Sequence, residues 1–86
     1  MKVTFEEIAL EQYMDWQLED RKILRRINEL IKDIQRNGLM KGIGKPELLK
    51  GRKECSRRID DANRLVYIGD NKQNLVIVSC KGHYED

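Results

Sequence analysis

The chain has 86 residues, enough for one domain, and a fold of this size buries only about 60% of the surface its unfolded chain exposes. A deep pocket has little room, so a functional site is expected on an open face. Charged residues make up 37% of the sequence, no apolar run approaches the ~18 residues of a membrane span, and the N-terminus lacks a basic segment followed by an apolar one. These features argue against a membrane or secreted protein and lead to the expectation of a cytoplasmic one.

Residues 1–5 lean towards a short strand, and Thr4 with Glu7 has the capping-box spacing that starts a helix at about residue 5. Ala9, Tyr13 and Trp16 then recur at helical spacing, with Leu10 and Met14 alongside. A second helix is predicted from about Arg21, because Ile23, Ile27, Leu30, Ile31 and Ile34 form one apolar stripe and Asn37-Gly38 provides a stop. That stripe reads as core. Gly38, Gly42, Gly44 and Pro46 mark the following stretch as a loop, without the flanking strand that a phosphate-cradling turn needs.

Three β-like segments follow, at 54–60, 63–69 and 74–81, separated by the turn-forming clusters Asp60-Asp61-Ala62 and Gly69-Asp70-Asn71. They read as an antiparallel meander. Alternation along the first sends Arg57 and Arg58 to opposite faces, so only one of them can serve a site. The run from Leu75 to Cys80 is almost wholly apolar, as in a strand covered on both faces. The expected fold is α+β, in the order β-α-α-β-β-β, with two helices packed on one face of a small, mainly antiparallel sheet, and residues 1–86 form a single domain.

The net charge of +2 hides an asymmetry. Residues 1–20 hold six acids (Glu6, Glu7, Glu11, Asp15, Glu19, Asp20) against Lys2. Residues 41–58 hold seven bases (Lys41, Lys45, Lys50, Arg52, Lys53, Arg57, Arg58) against Glu47 and Glu54. Either these runs are solvated faces, or a basic patch stands apart from an acidic one and suits phosphate. Cys55 and Cys80 are too few and too far apart for a metal knuckle and read as small buried hydrophobes. No metal or cofactor site is indicated.

Several blocks, taken in order, carry a resemblance: Ile27-Asn28-Glu29-Leu30-Ile31-Lys32-Asp33, Gly44-Lys45-Pro46-Glu47, Leu49-Lys50, Ser56-Arg57-Arg58-Ile59, Arg64-Leu65-Val66-Tyr67 and His83-Tyr84. They resemble the YoeB (Txe) branch of the RelE toxin superfamily, over most of the chain. The resemblance implies a RelE-like fold and a ribosome-dependent endoribonuclease, an mRNA interferase that cuts A-site messenger by attack of the ribose 2′-hydroxyl. It also implies a cognate antitoxin of the YefM/Axe type, with the ribosome and messenger RNA as further partners, and leaves a homodimer open.

By that resemblance Glu47 is the general base, Arg64 holds the phosphate, His83 protonates the leaving 5′-oxygen and Tyr84 orients substrate. Lys45, Lys50, Arg52, Lys53 and Arg58 would contact RNA. The chemistry is self-consistent without metal: in-line attack needs a base and an acid on opposite sides of phosphorus with cations at its oxygens, and each positioned proton transfer is worth roughly 10²- to 10⁴-fold.

The chain also departs from the family pattern. The segment between Lys50 and Ser56 is short, Cys55 stands where tryptophan is common, Leu48 replaces a proline and Asn63 a histidine. Glu85 and Asp86 place two carboxylates beyond His83-Tyr84, favouring imidazolium and repelling phosphate. Two other functions remain open at this stage: a ParE-like toxin directed at DNA gyrase, which would not need the acid/base set, and an inactive basic module that binds ribosomal RNA through phosphates.

Overall fold

The computed structural model describes residues 1–49, 51 and 53–82. In chain order the elements are β1 (Val3–Phe5), α1 (Glu7–Glu19), α2 (Arg21–Asn37), β2 (Glu47–Leu48), β3 (Cys55–Arg58), β4 (Arg64–Gly69) and β5 (Leu75–Ser79). They build one sheet ordered β1-β5-β4-β3-β2, parallel between β1 and β5 and antiparallel elsewhere. The two-residue strand β2 is an addition to the expected order. It is too short to carry a periodicity of its own, and it exists because it pairs with β3.

The expected capping box does not form. Thr4 lies in β1 opposite Val76, and the Glu6 N–H is donated to Ile77 O at 2.9 Å, so the parallel ladder holds the backbone that a Thr4 cap would need. Helix α1 therefore starts at Glu7 without a side-chain cap. It sends Ala9 and Trp16 into the core, whereas Leu10 and Met14 stay largely exposed. One residue then joins the helices: the Asp20 N–H caps α1 at Trp16 O, while its carboxylate accepts from Lys22 N and Ile23 N at the start of α2. Tyr13 donates to Asn28 Oδ1 at 2.6 Å and fixes the two helices side by side.

The stripe on α2 packs as expected, with Ile27, Leu30 and Ile34 fully buried against Leu65 and Tyr67 of β4 and Ile77 of β5. Strands β3, β4 and β5 are shorter than the predicted segments: aspartates close the turns between them, and beyond Ser79 the main chain of Cys80 bonds to side chains of α1. Asp60 Oδ1 accepts from Ala62 N and Asn63 Nδ2, and Asp70 Oδ1 accepts from Lys72 N and Asn74 N, closing turns that take the backbone out of the ladder. The apolar run of β5 is not covered on both faces: Leu75 and Ile77 are fully buried, but Val76 and Val78 only partly. Both helices lie on one side of the sheet, which leaves the other side open for a site.

Candidate functional site

The helix-free face of the sheet gathers Glu47, Ser56 and Arg64. Register brings them together: Glu47 pairs with Ser56 across β2 and β3, and Arg58 pairs with Arg64 across β3 and β4. Opposed residues share a face and so do residues two apart on a strand, so all four side chains belong to one side. Arg64 Nη2 lies 3.0 Å from Glu47 Oε1, and Arg64 Nε donates to the fully buried Ser56 Oγ at 3.0 Å. The Ser56 bond fixes the guanidinium plane from behind, while the Glu47 side chain is 60% exposed in front.

Glu47 is carried by a loop with its own internal support. Arg57 points into the helix side and is completely enclosed. Its guanidinium donates to Asp33, to Ile43 O (3.0 Å), to Gly38 O and Lys41 O (2.8 Å each) and, through Nε, to the Tyr67 hydroxyl (2.9 Å), which itself donates to Leu39 O. The loop from Gly38 to Ile43 is thus wrapped around one cation. The Arg57 guanidinium beside Asp33 holds that carboxyl below the usual range, with help from the Ile43 N–H. Gly42 must be glycine here: its φ is +122° and a Cβ would fall 1.8 Å from Asp33 Oδ2. Beyond it, Gly44 O accepts from Arg58 N at 2.7 Å and hands the chain to Pro46 and Glu47.

The last described residues are tied down beside Arg64. Cys80 N donates to Gln12 Oε1 (2.7 Å) and Trp16 Nε1 donates to Cys80 O (2.9 Å), so α1 grips both main-chain groups of Cys80. Lys81 pairs with Glu19 and lies over the Trp16 ring. Gly82 N donates to Asn63 Oδ1 at 2.7 Å, and Gly82 O accepts from Arg64 N at 3.0 Å. Burial pushes the Cys80 thiol up to about 12, and the Cys55 thiol is raised for the same reason, so both cysteines remain protonated core residues.

The sequence-predicted residues divide into three groups. Glu47 and Arg64 are in contact, and Arg58 sits cross-strand from Arg64 with its guanidinium on Asp61. Lys45 and Lys53 are exposed, Lys45 with a left-handed backbone (φ 51°) just before Pro46, a conformation uncommon for a non-glycine residue. Lys50, Arg52, His83 and Tyr84 lie outside the described residues. Arg57 leaves the proposed basic patch altogether, because its charge is spent internally on Asp33. Sequence reasoning gave no role to Ser56 or Asn63, whose functions depend on strand register and on a contact with the distant Gly82.

A carboxylate and a guanidinium held on an open face can accept a proton and bind an anion. Among the described residues no three His, Cys, Asp or Glu side chains converge as potential metal ligands.

Over residues 5–84 the sequence matches the family described as YoeB-like toxin of bacterial type II toxin-antitoxin system. It is 50% identical to Toxin YoeB of Streptomyces coelicolor, covering 98% of this chain and 100% of that protein. Its fold is similar to that of the YoeB dimer from Staphylococcus aureus, at 46% identity and a TM-score of 0.90, and to the toxin of a heterotetrameric YoeB-YefM complex from the same organism, at 46% identity and 0.89. Each comparison covers 98% of both chains.

Proposed function

Because the chain belongs to the YoeB-like toxins of type II toxin-antitoxin systems, we propose that it is a ribosome-dependent endoribonuclease that cleaves messenger RNA, restrained by an antitoxin of the YefM kind. The observation that carries this reading is the Glu47–Arg64 pair on the open face, backed by Ser56. In the resting protein the carboxylate occupies the guanidinium. A scissile phosphate arriving at Arg64 takes over that cation and releases Glu47 beside the ribose.

Glu47 then accepts the 2′-hydroxyl proton as the 2′-oxygen bonds to phosphorus. Arg64, still anchored through Nε to Ser56, stabilises charge on the phosphate oxygens. The bond from phosphorus to the 5′-oxygen breaks, and His83 supplies the proton to that leaving oxygen while Tyr84 orients the substrate. The products are a 2′,3′-cyclic phosphate and a 5′-hydroxyl, with Glu47 protonated and His83 deprotonated. Lys45, Lys50, Arg52, Lys53 and Arg58 supply contacts to the phosphates of the RNA. A homodimer, the form of the Staphylococcus aureus relative, is part of the same proposal.

The test is messenger cleavage in a purified translation system. Wild type should cut ribosome-bound messenger, and Glu47→Gln and His83→Ala should each slow single-turnover cleavage by about 10²-fold or more with the ribosome still bound. Binding without cutting would make the protein an inert module. Growth arrest without messenger cleavage would favour a gyrase-directed toxin.

A further inference from the structure

An α-helix advances about 100° per residue, which sets Arg21, Lys32, Arg25 and Arg36 of α2 within an arc of about 60°. That arc lies opposite the row Ile23, Ile27, Leu30 and Ile34 that enters the core. All four cations are exposed, along ~22 Å of helix. Among the described residues neither they nor the neighbouring Lys22 have an acidic partner, whereas Arg26, Arg57, Arg58, Arg64 and Lys81 each do. Arg21 with Arg25, and Lys32 with Arg36, are like charges at i,i+4, an arrangement that destabilises a helix. The acid that the helix turns nearest this row, Glu29, is engaged by Arg26, and an external anion would offset the repulsion.

We propose that this face of α2 binds the phosphate backbone of ribosomal RNA, as an anchor separate from the site that receives the messenger. The proposal rests on the ribosome-directed reading of the Glu47–Arg64 site. Two observations select folded RNA over the messenger strand or an acidic protein. The core row of α2 faces the sheet and the site lies on the sheet's far side, so the cations point directly away from the strand being cut. No large exposed hydrophobic residue lies on α2, whereas α1 displays Ile8, Leu10, Met14 and Leu18. Protein interfaces centre on apolar and aromatic anchors, while phosphate contacts need only spaced cations.

The double variant R25Q/K32Q separates this role from catalysis, and K2Q/K72Q, which removes the same charge from elsewhere on the surface, is its control. Glutamine is as good a helix former as lysine or arginine, so the fold is retained, which circular dichroism checks. Affinity for 70S ribosomes carrying a non-cleavable 2′-deoxy messenger is measured across salt concentrations. R25Q/K32Q should bind about 5- to 10-fold more weakly at ~100 mM salt, with a log–log salt slope shallower by about 1–2, while K2Q/K72Q matches wild type.

Single-turnover cleavage on saturating ribosomes should stay within about 2-fold for both. Unchanged affinity and slope in R25Q/K32Q, or an equal loss in K2Q/K72Q, overturns the anchor. Loss of antitoxin binding with ribosome affinity intact assigns the face to an acidic protein and overturns it too. A wild-type protein that cuts no messenger defeats the proposed function, whereas one that cuts while R25Q/K32Q binds normally defeats only the anchor.

Discussion

Replacing Arg57 by alanine should cripple both stability and the site, although Arg57 faces away from it. The side chain is fully enclosed and donates to Tyr67, Asp33 and the carbonyls of Gly38, Lys41 and Ile43. Removing one partner of a buried, hydrogen-bonded ion pair costs about 3–5 kcal/mol. In a domain of this length each kcal/mol moves Tm by about 4–8 °C, so Tm should fall by about 12 °C or more. Thermal unfolding followed by tryptophan fluorescence measures the fall in Tm and urea unfolding the free energy, since the chain has a single tryptophan, Trp16, in the core.

The acid limb of the same stability curve carries a second signature. Asp33 has its pKa lowered in the fold from 3.8, so its contribution is complete well above that value and fades as pH falls through the lower folded value. Asp33→Asn, which keeps an oxygen facing Arg57, should flatten stability over that range. A loss below about 1 kcal/mol in Arg57→Ala, with an unaltered acid limb in Asp33→Asn, would show that the Gly38–Ile43 loop is held by something other than this cation.

Two further substitutions probe the site from behind. Ser56→Ala removes the acceptor of Arg64 Nε at a fully buried position. It should cost about 1 kcal/mol in stability and slow single-turnover cleavage about 10-fold at unchanged ribosome affinity; wild-type cleavage would mean that Arg64 needs no such orientation. Asn63→Ala releases Gly82, the residue preceding His83. Amide exchange at Gly82 should accelerate and cleavage should slow by about 10-fold or more, an effect that vanishes in a His83→Ala background if Asn63 acts through His83.

The α2 stripe and the meander were legible because burial on one side of an element imprints a period on the sequence, and both elements are long enough to show it. Strand β2 was not legible, since two residues carry no period. The contact between Glu47 and Arg64 was reachable only through resemblance, because it depends on a register that a one-residue slip would reverse. Charge counting misled in one place and missed in another. Arg57 was counted in a basic patch, yet alternation with the core-facing Cys55 puts it inside with Asp33. The exposed row on α2 escaped because its cations are scattered between apolar residues and align only when wound at 100° per residue.

The resting contact between Glu47 and Arg64 bears on how removal of the base should be read. A half-exposed ion pair of this kind is worth about 0–1 kcal/mol, so an incoming phosphate can displace the carboxylate at little cost. The carboxylate nevertheless competes with the substrate for the guanidinium. In Glu47→Gln that competitor is neutral and Arg64 is left open on its outer side. The variant should therefore lose rate while holding RNA at least as tightly as wild type, lowering kcat and KM together. A surface glutamate with no part in the chemistry would leave kcat alone, and one that merely props the loop would weaken binding as it lost rate. Tighter or equal binding with slower cleavage belongs to a base that waits on the cation its substrate will claim.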